Sequence, residues 1–213
     1  MKKLLLTVVI CTATLLLSMF SADYLVNKDK ANETKTNTEH RVNSDEKVYT
    51  VKDNENVTDI AIEQGVPVED IISENHLEDE QVEEGDALII PETYSPAEKD
   101  LLARLVNAEA KGESYEGKVA VATVVLNRVE SERFPDTVSE VINDKNQFSP
   151  VSNGSINQEA SEEAVEAVNE AIALQEEEGT EATFFYNPDL TNDKWIKSLP
   201  VIEVIGNLYF ATS

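Results

Sequence analysis

The stretch from Gly117 to Val129 constrains this chain most, because Val119, Ala120, Val121, Ala122, Val124, Val125 and Leu126 make it apolar on most sides. Such a segment has no face to offer water, so it belongs inside a core with other elements wrapped around it. Its valines suit a strand as well as a helix. Thirteen residues without a turn signal are long for a strand, which favours the helix.

The elements around it are marked by their caps. Ser95-Pro96-Ala97-Glu98 is a capping box with proline at the first helical position, and Gly112 is the expected stop. Thr137-Val138-Ser139-Glu140 opens a short helix through Ile142, and Ser161 caps a longer one in which Ala164, Val165, Val168, Ala171 and Ile172 repeat at helical period. Between these, Asn143 to Glu159 is a polar loop with Phe148 as its one aromatic residue, the kind of segment that carries binding groups on a helical scaffold. Thr183 to Tyr186 and Val201 to Ile205 are expected as strands, with Trp195 between them. A mainly helical body with a small sheet is an α+β domain, here 95–213.

On the helix that Ser95 opens, Leu102, Leu105, Val106 and Glu109 fall at i, i+3, i+4 and i+7, which sets an acid in line with the apolar stripe. A buried carboxylate either finds partners or keeps its proton through a raised pKa, and a raised pKa makes a general acid at neutral pH. At the edge of the stripe the same side chain would reach water and do neither. Spacing alone leaves both readings open.

The rest of the chain differs in character. The formal charge of −25 excludes partners held through phosphate contacts, so nucleic acid is not expected. Lys2 and Lys3 before an apolar run from Leu4 to Phe20 have the layout of an export signal, either removed or kept as a membrane anchor, within 1–22. Residues 23–47 are polar and without period, as in a flexible linker. From Val48 to Pro91 thirteen acids face Lys52 alone and a strand-helix-helix-strand pattern appears, which marks a compact acidic module at 48–92.

That module resembles a LysM domain through Tyr49-Thr50-Val51-Lys52, Asn56-Val57-Thr58-Asp59-Ile60-Ala61, Gly65-Val66, Ile71, Asn75 and Gly85-Asp86-Ala87-Leu88-Ile89-Ile90-Pro91. The resemblance implies a βααβ fold that binds N-acetylglucosamine-containing polymers in a shallow groove. The Gly-Asp-Thr-Leu usual in such modules is replaced here by Asn54-Glu55-Asn56-Val57.

The C-terminal domain resembles the SleB/CwlJ-type cell-wall hydrolase family. The resemblance runs through Leu101 to Glu113, Tyr115 to Ala122, Val125-Leu126-Asn127-Arg128-Val129, Phe134-Pro135, Gln147-Phe148-Ser149, Phe185-Tyr186-Asn187-Pro188, Lys194-Trp195-Ile196, Pro200-Val201-Ile202 and Ile205-Gly206. It implies a lysozyme-like catalytic core acting on peptidoglycan glycan strands, with Glu109 matching the family's catalytic acid. Better understood members are lytic transglycosylases, and those specialised for spores act on cortex containing muramic δ-lactam. Members usually carry His two residues after the Ile-Gly pair, where this chain has Leu208. That departure motivates an alternative reading, a catalytically weakened wall-binding protein.

The side-chain inventory narrows the chemistry. Cys11, His40 and His76 all precede the C-terminal half, so zinc amidase, cysteine peptidase and ordinary serine hydrolase chemistries lack their residues there, and neither a metal nor another cofactor is expected. A transglycosylase can manage with one acid, Glu109, whereas muramidase-type hydrolysis would use a second carboxylate, for which Glu113 and Glu116 are the nearest candidates. For substrate, Tyr186 and Trp195 offer flat apolar faces to sugar rings, and Gln147 and Asn187 offer paired donors and acceptors to N-acetyl groups. With Phe148 these form the expected substrate-binding set. The expected location is outside the cytoplasm, in the cell wall, at the membrane or in a spore envelope.

Overall fold

Residues that can hydrogen-bond a free helix end occur where most of the expected helices start, Val68–Glu74 behind Pro67 being an exception. The computed structural model describes residues 47–78, 80–145, 147–175 and 180–213; the export signal and, apart from Lys47, the linker lie outside them. Among the described residues no helix is long and apolar enough to cross a membrane.

In the N-terminal module β1 (Lys47–Thr50) pairs antiparallel with β2 (Ala87–Ile90), and α1 (Val57–Gln64) and α2 (Val68–Glu74) lie between them in sequence. Asn56 caps α1 by accepting from the Asp59 N–H at 2.8 Å, and Asp59 returns the bond. Asn75 pins α2 to β2: its Nδ2 donates to the Ile71 and Ile89 carbonyls, each at 2.8 Å, and its Oδ1 accepts from the Ile89 N–H at 2.7 Å. Val57, Ile60, Ile71, Leu88 and Ile90 fill a small core that also includes Ala173, far along the chain.

The rest of the chain builds around α4 (Tyr115–Glu130), which is the helix expected there, not a strand. It packs against α3 (Pro96–Glu109), α5 (Val138–Asn143), α7 (Glu162–Ala173) and β3 (Phe184–Tyr186). Val121, Ala122, Val124, Val125 and Leu126 are sealed from solvent, the burial that an all-apolar helix requires. Ser95, Thr137 and Ser161 each accept from the backbone N–H three residues on, so their helices start where the capping residues stand.

Three expectations are corrected. Helix α3 ends at Glu109, before Gly112, and Gly112 turns the chain with φ +87° on the way to the Ser114 cap of α4. The polar stretch 143–159 is not all loop, since α6 (Ser149–Asn153), closed by Gly154 at φ +81°, and a 3₁₀ turn at Ser155–Asn157 lie within it. The sheet has a third strand, β5 (Leu208–Ala211), which lies between β3 and β4 (Val201–Ile205) in the order β3-β5-β4. A two-residue turn, Gly206-Asn207, joins β4 to β5, with Ile205 opposite Leu208. The result is the α+β arrangement that the sequence predicts, with the sheet beside the helical body.

Candidate active site

Glu109 is the last residue of α3, half-buried, and burial raises its pKa above the ordinary 4.5. Ser149, the first residue of α6, opposes that shift by offering its backbone N–H and its hydroxyl to the carboxylate. The carboxyl group is therefore held rather than free, and burial makes it a weaker acid than an exposed glutamate.

It opens onto a cleft of about 680 Å³ that Gln147, Phe148, Tyr186, Asn187 and Trp195 also line, so the expected acid and the five residues of the expected substrate-binding set meet there. They come from four separate segments: the end of α3, the start of α6, the end of β3 and the turn at Trp195. Phe148 is buried at the start of α6, and Gln147 beside it is exposed. Tyr186 ends β3 with its ring centroid 5.7 Å from that of Tyr209. Asn187 follows, its Oδ1 accepting from the Asp189 N–H at 2.9 Å. Trp195 is 56% exposed and meets Phe184 edge-on at 5.4 Å, which leaves much of its indole facing solvent.

Among the cleft residues that were not singled out as site residues from the sequence, two touch those that were. Ser149 is one. The other is Arg128, only 5% exposed, whose Nε donates to the Thr183 carbonyl at 2.8 Å and whose Nη1 donates to Gln147 Oε1 at 3.3 Å. Its guanidinium lies 5.1 Å from the ring centroids of Phe134 and Phe148 and 5.4 Å from that of Phe184. Burial lowers its pKa to about 10, with Asp144 pulling the other way, so it stays cationic at neutral pH. The signal for it was present: Arg128 falls at i+3, i+4 and i+7 from Val125, Val124 and Val121, the same rule that marked Glu109.

Glu113 lines the cleft, and its carboxylate accepts from Asn207 Nδ2 at 3.3 Å and, more weakly, from the Asn207 N–H at 3.4 Å. Glu116 does not line the cleft: it is exposed and borders a separate recess with Tyr115, Glu170 and Glu203. Leu208, in the position where histidine is usual, opens β5 and is 5% exposed, an apolar part of the cleft wall. The arrangement supplies one carboxyl whose pKa burial raises, aromatic surface and two carboxamides, all reached from a single opening.

Residues 112–211 match the cell wall hydrolase family, starting just after Glu109, and residues 49–91 match the LysM domain. The spore cortex-lytic enzyme of Oceanobacillus iheyensis is 44% identical over 121 residues, which is 57% of this chain and 44% of that protein. The spore cortex-lytic enzyme of Bacillus subtilis is 40% identical over 121 residues, 57% of this chain and 39% of that protein. The chain thus spans less than half the length of these curated relatives. Among solved structures, the catalytic domain of the germination-specific lytic transglycosylase SleB from Bacillus anthracis is 39% identical with a TM-score of 0.54, covering 58% of this chain and 100% of that one. The catalytic domain of Bacillus cereus SleB is 40% identical with a TM-score of 0.52, covering 57% of this chain and 94% of that one. The chain belongs to the cell wall hydrolase family, with a LysM domain ahead of its hydrolase domain.

Proposed function

We propose that the chain is an exported lytic transglycosylase that cuts the MurNAc–GlcNAc bond of peptidoglycan with Glu109 as its single acid and base, carried to the wall by its LysM domain. The observation behind this reading is a half-buried carboxyl, its pKa raised by burial, on the wall of a cleft whose one other carboxylate among the described residues, Glu113, is hydrogen-bonded to Asn207. A fully exposed carboxyl would be ionised at neutral pH and useless as an acid. The kinship with a protein titled a germination-specific lytic transglycosylase supports the same reaction, and the names of the relatives favour the spore cortex as its setting.

In the proposed step, protonated Glu109 gives its proton to the glycosidic oxygen as the C1–O bond breaks. The carboxylate then takes the proton of the MurNAc C6 hydroxyl as that oxygen bonds to C1. The product ends in a 1,6-anhydro ring, no water is consumed, and Glu109 is protonated again. Trp195 gives the sugar rings a flat apolar face, the buried Phe148 and Tyr186 back the cleft wall with what they expose, and Gln147 and Asn187 bind polar substituents.

The presence of Glu113 in the cleft favours one second reading, muramidase hydrolysis, in which it would serve as the other carboxylate. Incubation with purified peptidoglycan and mass spectrometry of the released fragments tests both. Anhydromuramic ends are expected from the wild type and none from Glu109→Gln. Reducing ends point to the muramidase, equal release by Glu109→Gln overturns the role of this residue, and wall binding without release of fragments points to a non-catalytic protein.

A further inference from the structure

Both carboxamides in the cleft are held by their oxygens. Arg128 Nη1 donates to Gln147 Oε1. A guanidinium has donors and no acceptor, so only the oxygen end of the Gln147 amide can face it. The backbone N–H of Asp189 donates to Asn187 Oδ1, and the oxygen of Asn187 is likewise turned into its own loop. The group each amide turns away from these partners is its NH2. Arg128 can hold this polarity because it is itself fixed, buried among three aromatic rings and bonded to the Thr183 carbonyl.

The sequence alone allowed Gln147 and Asn187 to act as paired donors and acceptors; the geometry engages the oxygen of each with a protein donor and leaves its NH2 without a protein acceptor among these bonds. We infer that Arg128 is a positioning residue that fixes Gln147, with Asn187 held alike, as a donor-only reader of an amide carbonyl, so that the cleft selects acetamido groups on the glycan and rejects the free amine. An ammonium in the same place presents donors to donors and a positive charge to the Arg128 guanidinium.

This inference rests on the glycan-cleaving activity proposed above, and one experiment separates the two. The ratio kcat/KM is measured on glycan strands with acetamido groups intact and on the same strands after chemical removal of the acetyl groups. The wild type is expected to prefer the acetylated strands by about 10-fold or more, the scale of one well-placed hydrogen bond. Gln147→Glu keeps the shape, gains a charge partner in Arg128 and turns an oxygen toward the cleft. It is expected to lose the preference, mainly through a higher KM on acetylated strands, with thermal unfolding no lower than the wild type's. Asn187→Asp, which still accepts from the Asp189 N–H, is expected to behave alike. Arg128→Lys retains a donor for Gln147 Oε1 and should keep most of the preference that Arg128→Met loses. An unchanged preference in both Gln147→Glu and Asn187→Asp overturns the inference and leaves the activity standing. A wild type that cuts neither substrate overturns the activity and the inference with it.

Discussion

A carboxyl group at the half-buried end of α3 resists ionisation, and that resistance is measurable as stability. Below the ordinary pKa of 4.5, Glu109 is protonated in the folded and the unfolded chain alike and contributes no pH dependence. Above it the unfolded chain releases its proton first, and the native state loses stability until the pH passes the raised native pKa. Glu109→Gln keeps an acceptor for Ser149 and removes that loss. Its Tm should therefore exceed that of the wild type at neutral pH, with the difference closing as the pH falls below 4.5; a lower Tm at neutral pH contradicts the burial argument. Ser149→Ala tests the opposing force. Without the hydroxyl donor the pKa of Glu109 rises further, so the basic limb of the pH–rate profile for glycan cleavage should move to higher pH, and a move to lower pH contradicts it.

At the scale of elements, the β4–β5 hairpin ties the sheet to the cleft. Gly206 has φ +56°, and a Cβ there would lie 2.9 Å from Glu113 Oε2. Gly206→Ala should lower stability by about 1–2 kcal/mol, the cost of a left-handed conformation to a residue with a Cβ. Urea unfolding that shows no shift in midpoint contradicts this. The same hairpin marks the limit of what the sequence reveals. The major helices were legible because Ser95, Thr137 and Ser161 mark their starts and their apolar residues keep a helical period. Strand β5 was not, because three of its four residues are buried and the period-two alternation is lost. Helix α6 is too short for a period, so its start at Ser149 went unseen together with the bonds from Ser149 to Glu109. Glu109 stood out as an acid on an apolar stripe. Arg128 obeyed the same rule inside a run that reads as hydrophobic, and its contact with Gln147 joins elements that local patterns do not connect.

At the scale of the whole molecule, the LysM module is fastened to the hydrolase domain. Helix α1 packs on α7, and Ala173 of α7 belongs to the core of the module. Lys99 Nζ of α3 donates to the carbonyls of Gln64 at 3.0 Å and Gly65 at 3.2 Å, at the end of α1. Gly65 both turns left-handed there and leaves room for Asn169, whose Oδ1 would lie 2.5 Å from a Cβ. Calorimetry on the full chain should therefore give one cooperative transition for both parts, and two independent transitions would contradict this coupling. The proposed reaction is cleavage with the sugar's own hydroxyl as nucleophile and Glu109 as the only acid and base. Digestion of peptidoglycan in water enriched in heavy oxygen, followed by mass spectrometry, tests it most directly. New glycan ends should be anhydro rings carrying no label, and labelled reducing ends would contradict the account.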